Sequence, residues 1–505
     1  MKYSVSYDIS EVNRCVLCED PQCTRACPQN ADVGRVLRSL YFDNNYGATV
    51  RLGKTDCTYC NAPCEKVCVL SPSKPPVNIR EIFLDLKKDE KDMVPMKIKN
   101  PDISTDICGV KLENPFLLSS SVVASNYDMC KRAFEAGWAG VSFKTICSFP
   151  QHEASPRFSA INNHSVSFCG FKNIEQLSDH SVRENMEIFK KLRREFPTKV
   201  IVASIMGQNE DEWTSLASEC EKAGASVIEC NFSCPNMENS ELGITIGQSE
   251  ELIERFTRAT KRGTSLPVLA KMTPNITDMV PMALAAKRGG ADGIAAINTI
   301  NSITGVNLDT LTAEPEVRGK SIVGGYSGPA VKPIALRFIS DLANSKELAG
   351  MHISGMGGIE SWTDAVEFLL LGAGSLQITT AVMQYGYRII DDLIDGVKTY
   401  LQGKGIDKLS KLVGGATGSI VGHRSIERDT VVFPIFNPKR CIGCGRCYIA
   451  CMDGGHQAIE FDRKTRRPRL LGSECVGCHL CRLVCPVKAI DKASKAIVRP
   501  CSDKK

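Results

Sequence analysis

Apolar runs of strand length recur through the middle of the chain, at 115–119, 140–146, 199–205, 226–232, 267–272, 293–298, 351–356 and 374–379. Most are followed by a stretch with apolar residues at helical spacing, as in EDEWTSLASECEKAG (210–224) and TDMVPMALAAKRGG (277–290). Short continuous apolar runs suit strands buried on both faces, and their alternation with amphipathic helices predicts an α/β chain with a parallel (β/α)8 TIM barrel. A doubly wound sheet is the structural alternative. No G-x-G-x-x-G follows an early strand, so the usual module for binding NAD(P)H is missing.

Both flanks of the barrel are different. Near the N-terminus, VGRVLRSLYFDNNYGATVRL has apolar residues at Val33, Val36, Leu37, Leu40 and Tyr41, which is helical spacing. Cysteines bracket it: Cys15, Cys18, Cys23 and Cys27 before, Cys57, Cys60, Cys64 and Cys68 after. Near the C-terminus, CIGCGRCYIAC (441–451) is answered by CVGCHLCRLVCP (475–486), each reading C-x2-C-x2-C-x3-C. The division expected is a helical iron–sulfur domain over 1–95, the barrel over 96–430 and a ferredoxin-type domain over 431–505.

Composition changes this picture little. A chain of 505 residues with 43% hydrophobic and 24% charged residues is ordinary for a globular protein. A net charge of +5 does not point to nucleic acid. The locally basic RKTRRPR (463–469) reads as a solvated hairpin between the two C-terminal motifs. With no run of 18 apolar residues and no signal-peptide pattern, a cytoplasmic location is expected. The 24 cysteines, clustered as C-x2-C pairs, then argue for metal ligation in a reducing compartment rather than for disulfides.

The C-terminal spacing is that of bacterial two-cluster ferredoxins, where the fourth cysteine of each run ligates the other cluster. It assigns Cys441, Cys444, Cys447 and Cys485 to one [4Fe–4S] cluster, and Cys475, Cys478, Cys481 and Cys451 to the other. Zinc knuckles are the alternative, but they gain nothing from the doubled run.

In a (β/α)8 barrel the chemistry sits at the C-terminal ends of the strands. Those ends hold Ser119, Ser120, Lys144, Asn231, Lys271, Asn298, Gly357, Gly358, Thr379 and Thr380. Lysines inside a barrel mouth are costly unless an anion balances them. GMGG after strand seven and TT after strand eight suit a phosphate held by backbone N–H groups. Phosphate grip, lysines and flanking iron–sulfur motifs together point to FMN.

NPFLLSSS, SFKTI, FKNIEQ, ASIMG, CNFSCPN, AKMTPNITD, AAINTI, GGYSGPAVKPIALR, GMGGI and LQITTA resemble the FMN barrel of dihydropyrimidine dehydrogenases, within the dihydroorotate dehydrogenase-like superfamily. The resemblance runs on through the C-terminal motifs, in the manner of the bacterial subunit that carries the FMN barrel and its clusters. It implies that FMN contacts Ser120, Lys144, Thr145, Lys271, Gly328, Met356, Gly357, Gly358, Thr379 and Thr380, with Lys144 also catalytic. It implies a pyrimidine held by Asn173, Asn231, Asn298 and Thr299, with the loop Gly243, Ile244 and Thr245 against it. Asparagine amides answer the alternating donors and acceptors of uracil.

CVLCEDPQCTRACP and CNAPCEKVC resemble the N-terminal iron–sulfur domain shared by glutamate synthase small subunits and mammalian dihydropyrimidine dehydrogenase. That resemblance implies one cluster on Cys15, Cys18, Cys23 and Cys68, and a second on Cys27, Cys60 and Cys64. The family's fourth ligand to the second cluster is a glutamine. Phe83 stands there and cannot ligate, so Cys57 is the expected replacement.

A further departure concerns the proton donor. The mammalian enzyme places a cysteine just before a Gly-Gln pair on the loop after strand four. Gly247 and Gln248 match here, but the cysteine position is Ile246. Thr245 or Ser240 would then donate, or a bound water would, or the substrate is not a pyrimidine. Cys234 reads as a structural thiol, and Glu238 and Glu241 as solvated acids.

The expected function is interconversion of uracil or thymine with the 5,6-dihydropyrimidine, with electrons relayed by clusters at both ends. The chain lacks an NAD(P)H module, so a separate FAD-containing NAD(P)H-oxidising subunit or a ferredoxin must load them. The resemblance also implies a homodimer, or a heterotetramer with that subunit. Dihydroorotate oxidation, another FMN-dependent enoyl or heterocycle reduction, and a non-catalytic electron-transfer role are the alternatives.

Overall fold

The computed structural model describes residues 7–90, 96–149, 151–163, 166–233 and 244–498. The chain divides into two units, Met1–Ser419 and Ile420–Lys505.

The first unit is built on a closed barrel of parallel strands: β1 (Phe116–Leu118), β2 (Gly140–Ser142), β3 (Val200–Ile205), β4 (Val227–Asn231), β5 (Val268–Lys271), β6 (Gly293–Ala296), β7 (His352–Met356) and β8 (Ser375–Ile378). Each strand pairs with its neighbours in sequence, and β8 closes on β1. All eight apolar runs of the sequence are these strands, shortened at one or both ends. The predicted helix over 210–224 is Glu210–Ala223; the Asn209 side chain accepts from the Glu212 N–H at its start, and Gly224, at φ +101°, ends it. The helix expected over 277–290 is only Val280–Arg288, because Pro281 is tolerated only in a first turn.

A hairpin, Thr105–Ile107 with Val110–Leu112, closes the N-terminal end of the barrel. Its Ile107 and Leu112 pack with Val200 and Val227, the first residues of their strands. The other end is walled by a four-stranded sheet that the sequence did not reveal. Its order is Ile300–Ser302, Gly324–Ser327, Val166–Asn173 and Phe158–Asn163. Two barrel excursions contribute to it, one after β2 and one after β6.

Ahead of the barrel, helices Val33–Tyr41, Asn45–Leu52 and Ile79–Asp89 form a small core around Val33, Val36, Leu37, Leu40, Ile82 and Phe83. Their polar faces meet the barrel's last helix, Ile389–Lys404. Arg38 Nε donates to Asp392 Oδ2 at 2.8 Å, and Arg35 and Arg51 pair with Asp391 and Asp395. Among the described residues no helix is long and apolar enough to cross a membrane.

The second unit carries helices Arg446–Gly454 and Leu480–Leu483 and three two-stranded ribbons. The basic RKTRRPR stretch is the turn and second strand of the ribbon Ile459–Asp462 with Arg467–Leu470, as the hairpin reading anticipated.

Candidate functional site: a barrel-mouth cavity and four cysteine-lined cavities

The C-terminal ends of the barrel strands open into a cavity of about 1110 Å³, counted out to its mouth. Ser120, Lys144, Thr145, Lys271, Gly328, Met356, Gly357, Gly358, Thr379 and Thr380 all line it, as do Asn173, Asn231, Asn298 and Thr299. Side-chain hydrogen bonds tie many of them together. Thr145 Oγ1 is the hub: it meets Ser120 Oγ at 3.1 Å and Ser204 Oγ at 2.9 Å, and accepts from Asn231 Nδ2 at 2.9 Å. Asn298 Nδ2 donates to Ser233 Oγ at 2.7 Å and to Asn231 Oδ1 at 3.4 Å. Asn173 stands on the excursion sheet, its Nδ2 donating to the Gly325 carbonyl at 3.2 Å.

Both lysines are buried and balanced by carboxylates. Lys144 Nζ lies 3.2 Å from Glu153 Oε1 and 3.8 Å from Glu175 Oε1. Arg157 reaches the same two acids, at 3.8 and 3.6 Å. Burial raises the Glu175 carboxyl above its ordinary range, with Lys144 working against the shift. Lys271 Nζ lies 3.7 Å from Glu229 Oε1 and 3.5 Å from Ser119 Oγ. The sequence reading missed Glu153, Glu175 and Glu229. Glu175 was within reach, since it belongs to the quoted FKNIEQ motif.

The residues present fit FMN. Gly328, Gly357 and Gly358 have φ of +90°, +120° and +79°. A Cβ on Gly358 would come within 2.9 Å of the Gly328 carbonyl oxygen, so only glycine leaves this backbone turn open for a phosphate. Gln377 also lines the cavity, and its buried Oε1 has no hydrogen-bond partner among the described residues.

The segment after β4 is less accommodating. Ser240 and Gly243, with Cys234, Glu238 and Glu241, lie outside the described residues. The short helix Ile244–Gly247 turns Ile246 into the hydrophobic core, and a Cβ on Gly247 would come within 2.5 Å of the Phe232 carbonyl oxygen. Thr245 is exposed and does not line the cavity. Ile246 thus fills core space and does not face the site.

Four smaller cavities, of about 330 to 370 Å³, are lined by cysteines. Cys15, Cys18, Cys23 and Cys68 line one; Cys27, Cys57, Cys60 and Cys64, with Phe83, line the next. In the second unit Cys441, Cys444, Cys447 and Cys485 share one cavity, and Cys451, Cys475, Cys478 and Cys481 the other. Four cavities of nearly one size, each with four thiols, suit one repeated group of cluster dimensions. Among the described residues no group of three His, Cys, Asp or Glu side chains is disposed around a single ion. Burial pushes Cys15 up to about 11 and Cys23 and Cys64 up to about 12, so iron must displace their protons.

Comparison with known proteins agrees with this layout. Residues 102–401 match the dihydroorotate dehydrogenase family, residues 1–91 the family described as dihydropyrimidine dehydrogenase domain II, 4Fe-4S cluster, and residues 435–492 the 4Fe-4S dicluster domain. The NAD-dependent dihydropyrimidine dehydrogenase subunit PreA of Escherichia coli K12 is 54% identical over 390 residues, 77% of this chain and 95% of that one. The catalytic subunit of dihydroorotate dehydrogenase B (NAD(+)) from Pyrococcus furiosus is 37% identical, over 62% of this chain and 98% of its own. The ligand-free dihydroorotate dehydrogenase of Eimeria tenella shares the fold, with a TM-score of 0.53 at 20% identity over 64% of this chain and 94% of its own.

Proposed function

Because the chain belongs to the dihydroorotate dehydrogenase family, among relatives of the PreA type that carry [4Fe–4S] domains, we propose that it interconverts uracil or thymine with the 5,6-dihydropyrimidine. As an oxidoreductase of this family it holds FMN in the barrel and [4Fe–4S] clusters at both ends. Its three domains meet near residues 95 and 430.

The observation that carries the reading is the row of amides in the cavity. Asn231 and Asn298 are bonded to each other and to Ser233, and Asn173 lines the same cavity from the excursion sheet. Amides offer a donor and an acceptor each, as a planar ring with alternating N–H and C=O groups requires. Lys144 and Lys271 put positive charge where reduction builds negative charge. Bound FMN supplies hydride transfer, and the clusters supply one-electron transfer to it. The backbone at Gly328, Gly357 and Gly358 holds the phosphate. The four cysteine quartets named above ligate the clusters, with Cys57 completing the set of Cys27, Cys60 and Cys64. Of the two hydroxyls on the segment after β4, Ser240 delivers the proton to the ring carbon, since Thr245 is exposed outside the cavity.

The electrons come from a separate FAD-containing NAD(P)H-oxidising subunit or from a ferredoxin in the cytoplasm, and the catalytic form is a homodimer or a heterotetramer with that subunit. Anaerobic protein, reduced until its flavin bleaches, tests the reading. Uracil or thymine is expected to restore the flavin absorbance. Recovery with orotate alone would replace this reading with a dihydroorotate dehydrogenase, which the identity to the Pyrococcus furiosus subunit favours. Iron without FMN would indicate an electron-transfer role only.

A further inference from the structure

Glu229 lies on β4 with its side chain inside the barrel, fully buried. A carboxylate there costs several kcal/mol unless it is paired and hydrogen-bonded, so its partners define its role. Ser142 Oγ, from β2, donates to Oε1 at 3.1 Å. Gln377 Nε2, from β8, donates to Oε2 at 3.2 Å and to Ser354 Oγ, from β7, at the same distance. Donors from two other strands thus hold the carboxylate, with β7 bracing the Gln377 amide, and leave the approach from β5. Lys271, at the end of β5, fills it, with Nζ 3.7 Å from Oε1. The lysine's flexible stem ends against a charge whose position the barrel has already set.

We propose that Glu229 is a positioning residue: its buried carboxylate anchors the Lys271 ammonium at the base of the cavity and so sets how much positive charge the bound flavin meets. This rests on the reading that FMN occupies the cavity. The Lys271 charge acts in a dry setting, where an ion pair at this distance is strong. Part of it is spent on Glu229 and only the remainder reaches the cavity. Gln377 joins this anchor to the cavity it lines: its amide donor serves Glu229, and its buried Oε1 has no hydrogen-bond partner among the described residues.

The test uses the full chain with Glu229→Gln, Lys271→Met and the double variant. FMN content is measured first, then the midpoint potential of the bound FMN by anaerobic spectroelectrochemistry. Glu229→Gln is expected to retain FMN and shift its potential upward, because uncompensated positive charge favours the reduced form. Lys271→Met is expected to shift it downward, and Glu229→Gln added to that variant to change it far less than in the wild type. In parallel, thermal melting of the flavin-stripped protein is expected to show a large loss for Lys271→Met that Glu229→Gln largely restores. An unchanged potential in flavin-loaded Glu229→Gln, or the same shift with and without Lys271, would overturn the inference. Absence of FMN from the wild type would overturn the cofactor reading instead. The melting cycle would then decide the anchoring alone, strictly additive losses refuting it.

Discussion

Arg38 and Asp392 form a buried ion pair, Nε to Oδ2 at 2.8 Å, between the N-terminal helices and the last helix of the barrel. Ser39 Oγ donates to the other oxygen of the same carboxylate at 2.8 Å. Breaking such a pair from one side strands a charge in a dry seam. Arg38→Ala is therefore expected to destabilise the first unit by roughly 3–5 kcal/mol. Asp392→Asn on top of it should recover much of that loss, since no charge is then left alone. Urea unfolding of the three variants measures this, and a double variant as weak as the sum of the singles would refute it. Arg388 works along the same seam, donating to the Leu17 and Cys18 carbonyls at 2.5 and 3.1 Å. The cysteine loop is thereby held to the barrel.

The second N-terminal cavity makes a prediction about iron. Phe83 lines it and offers no ligand atom, while Cys57 lines it beside Cys27, Cys60 and Cys64. Arg80 holds the Cys57 turn through its carbonyl, Nε to O at 3.0 Å. If Cys57 is the fourth thiolate, the anaerobic wild type carries about sixteen irons per chain, four for each cluster. Cys57→Ser should lower the count toward about twelve, or keep it with a changed electron paramagnetic resonance spectrum. Unaltered iron together with an unaltered spectrum would remove Cys57 from the ligand set.

Much of this architecture was legible in the sequence, for a physical reason. Strands buried on both faces leave continuous apolar runs, and the runs at 199–205 and 226–232 are β3 and β4 with little lost. The excursion sheet was not legible, because its strands pair across long separations. Asn173 sits opposite Gly325, and nothing local to either announces the other. Glu229 was hidden in a similar way: within VIECN it reads as one polar residue in an apolar strand, and only Ser142, Lys271 and Gln377, from three other strands, explain it. The strand ends were easier to read, since a barrel places them at one rim whatever their spacing. Ile246 was placed in the site by its neighbours Gly247 and Gln248, yet packing turns its side chain into the core. A motif aligns backbone positions, and it does not say which way a side chain faces.

Glu360 gives the cavity a pH dependence. It lines the cavity two residues beyond Gly358, and burial, reinforced by Asp364, pushes its carboxyl up to about 8. Below that pH it is neutral and tolerates a phosphate nearby. Above it, a second anion faces the phosphate. FMN affinity should hold steady near neutrality and weaken above pH 8, by at most about tenfold per pH unit for a single proton. Glu360→Gln should flatten the decline. Fluorescence titration of stripped protein with FMN measures both, and equal slopes in wild type and variant would sink the assignment.

His352 controls stability rather than binding. At the start of β7 its Nε2 lies 2.9 Å from Ser375 Oγ, and burial holds its pKa down to about 4, with Asp106 pulling weakly the other way. The unfolded chain has an ordinary imidazole that protonates near 6.5, so between those values the unfolded state binds the extra proton. The contribution of His352 is therefore fully present above about 6.5 and is lost as pH falls toward 4, to a total of roughly 3 kcal/mol. Carboxylates titrate over part of the same range, so the informative quantity is the difference from a variant without the imidazole. His352→Gln keeps a hydrogen-bonding group for Ser375 and removes the titration. Denaturant unfolding at pH 7 and pH 5 should show the wild type losing more stability than the variant across that interval. Equal losses would mean that the imidazole can take up a proton in the folded chain, where the Asp106 charge favours it.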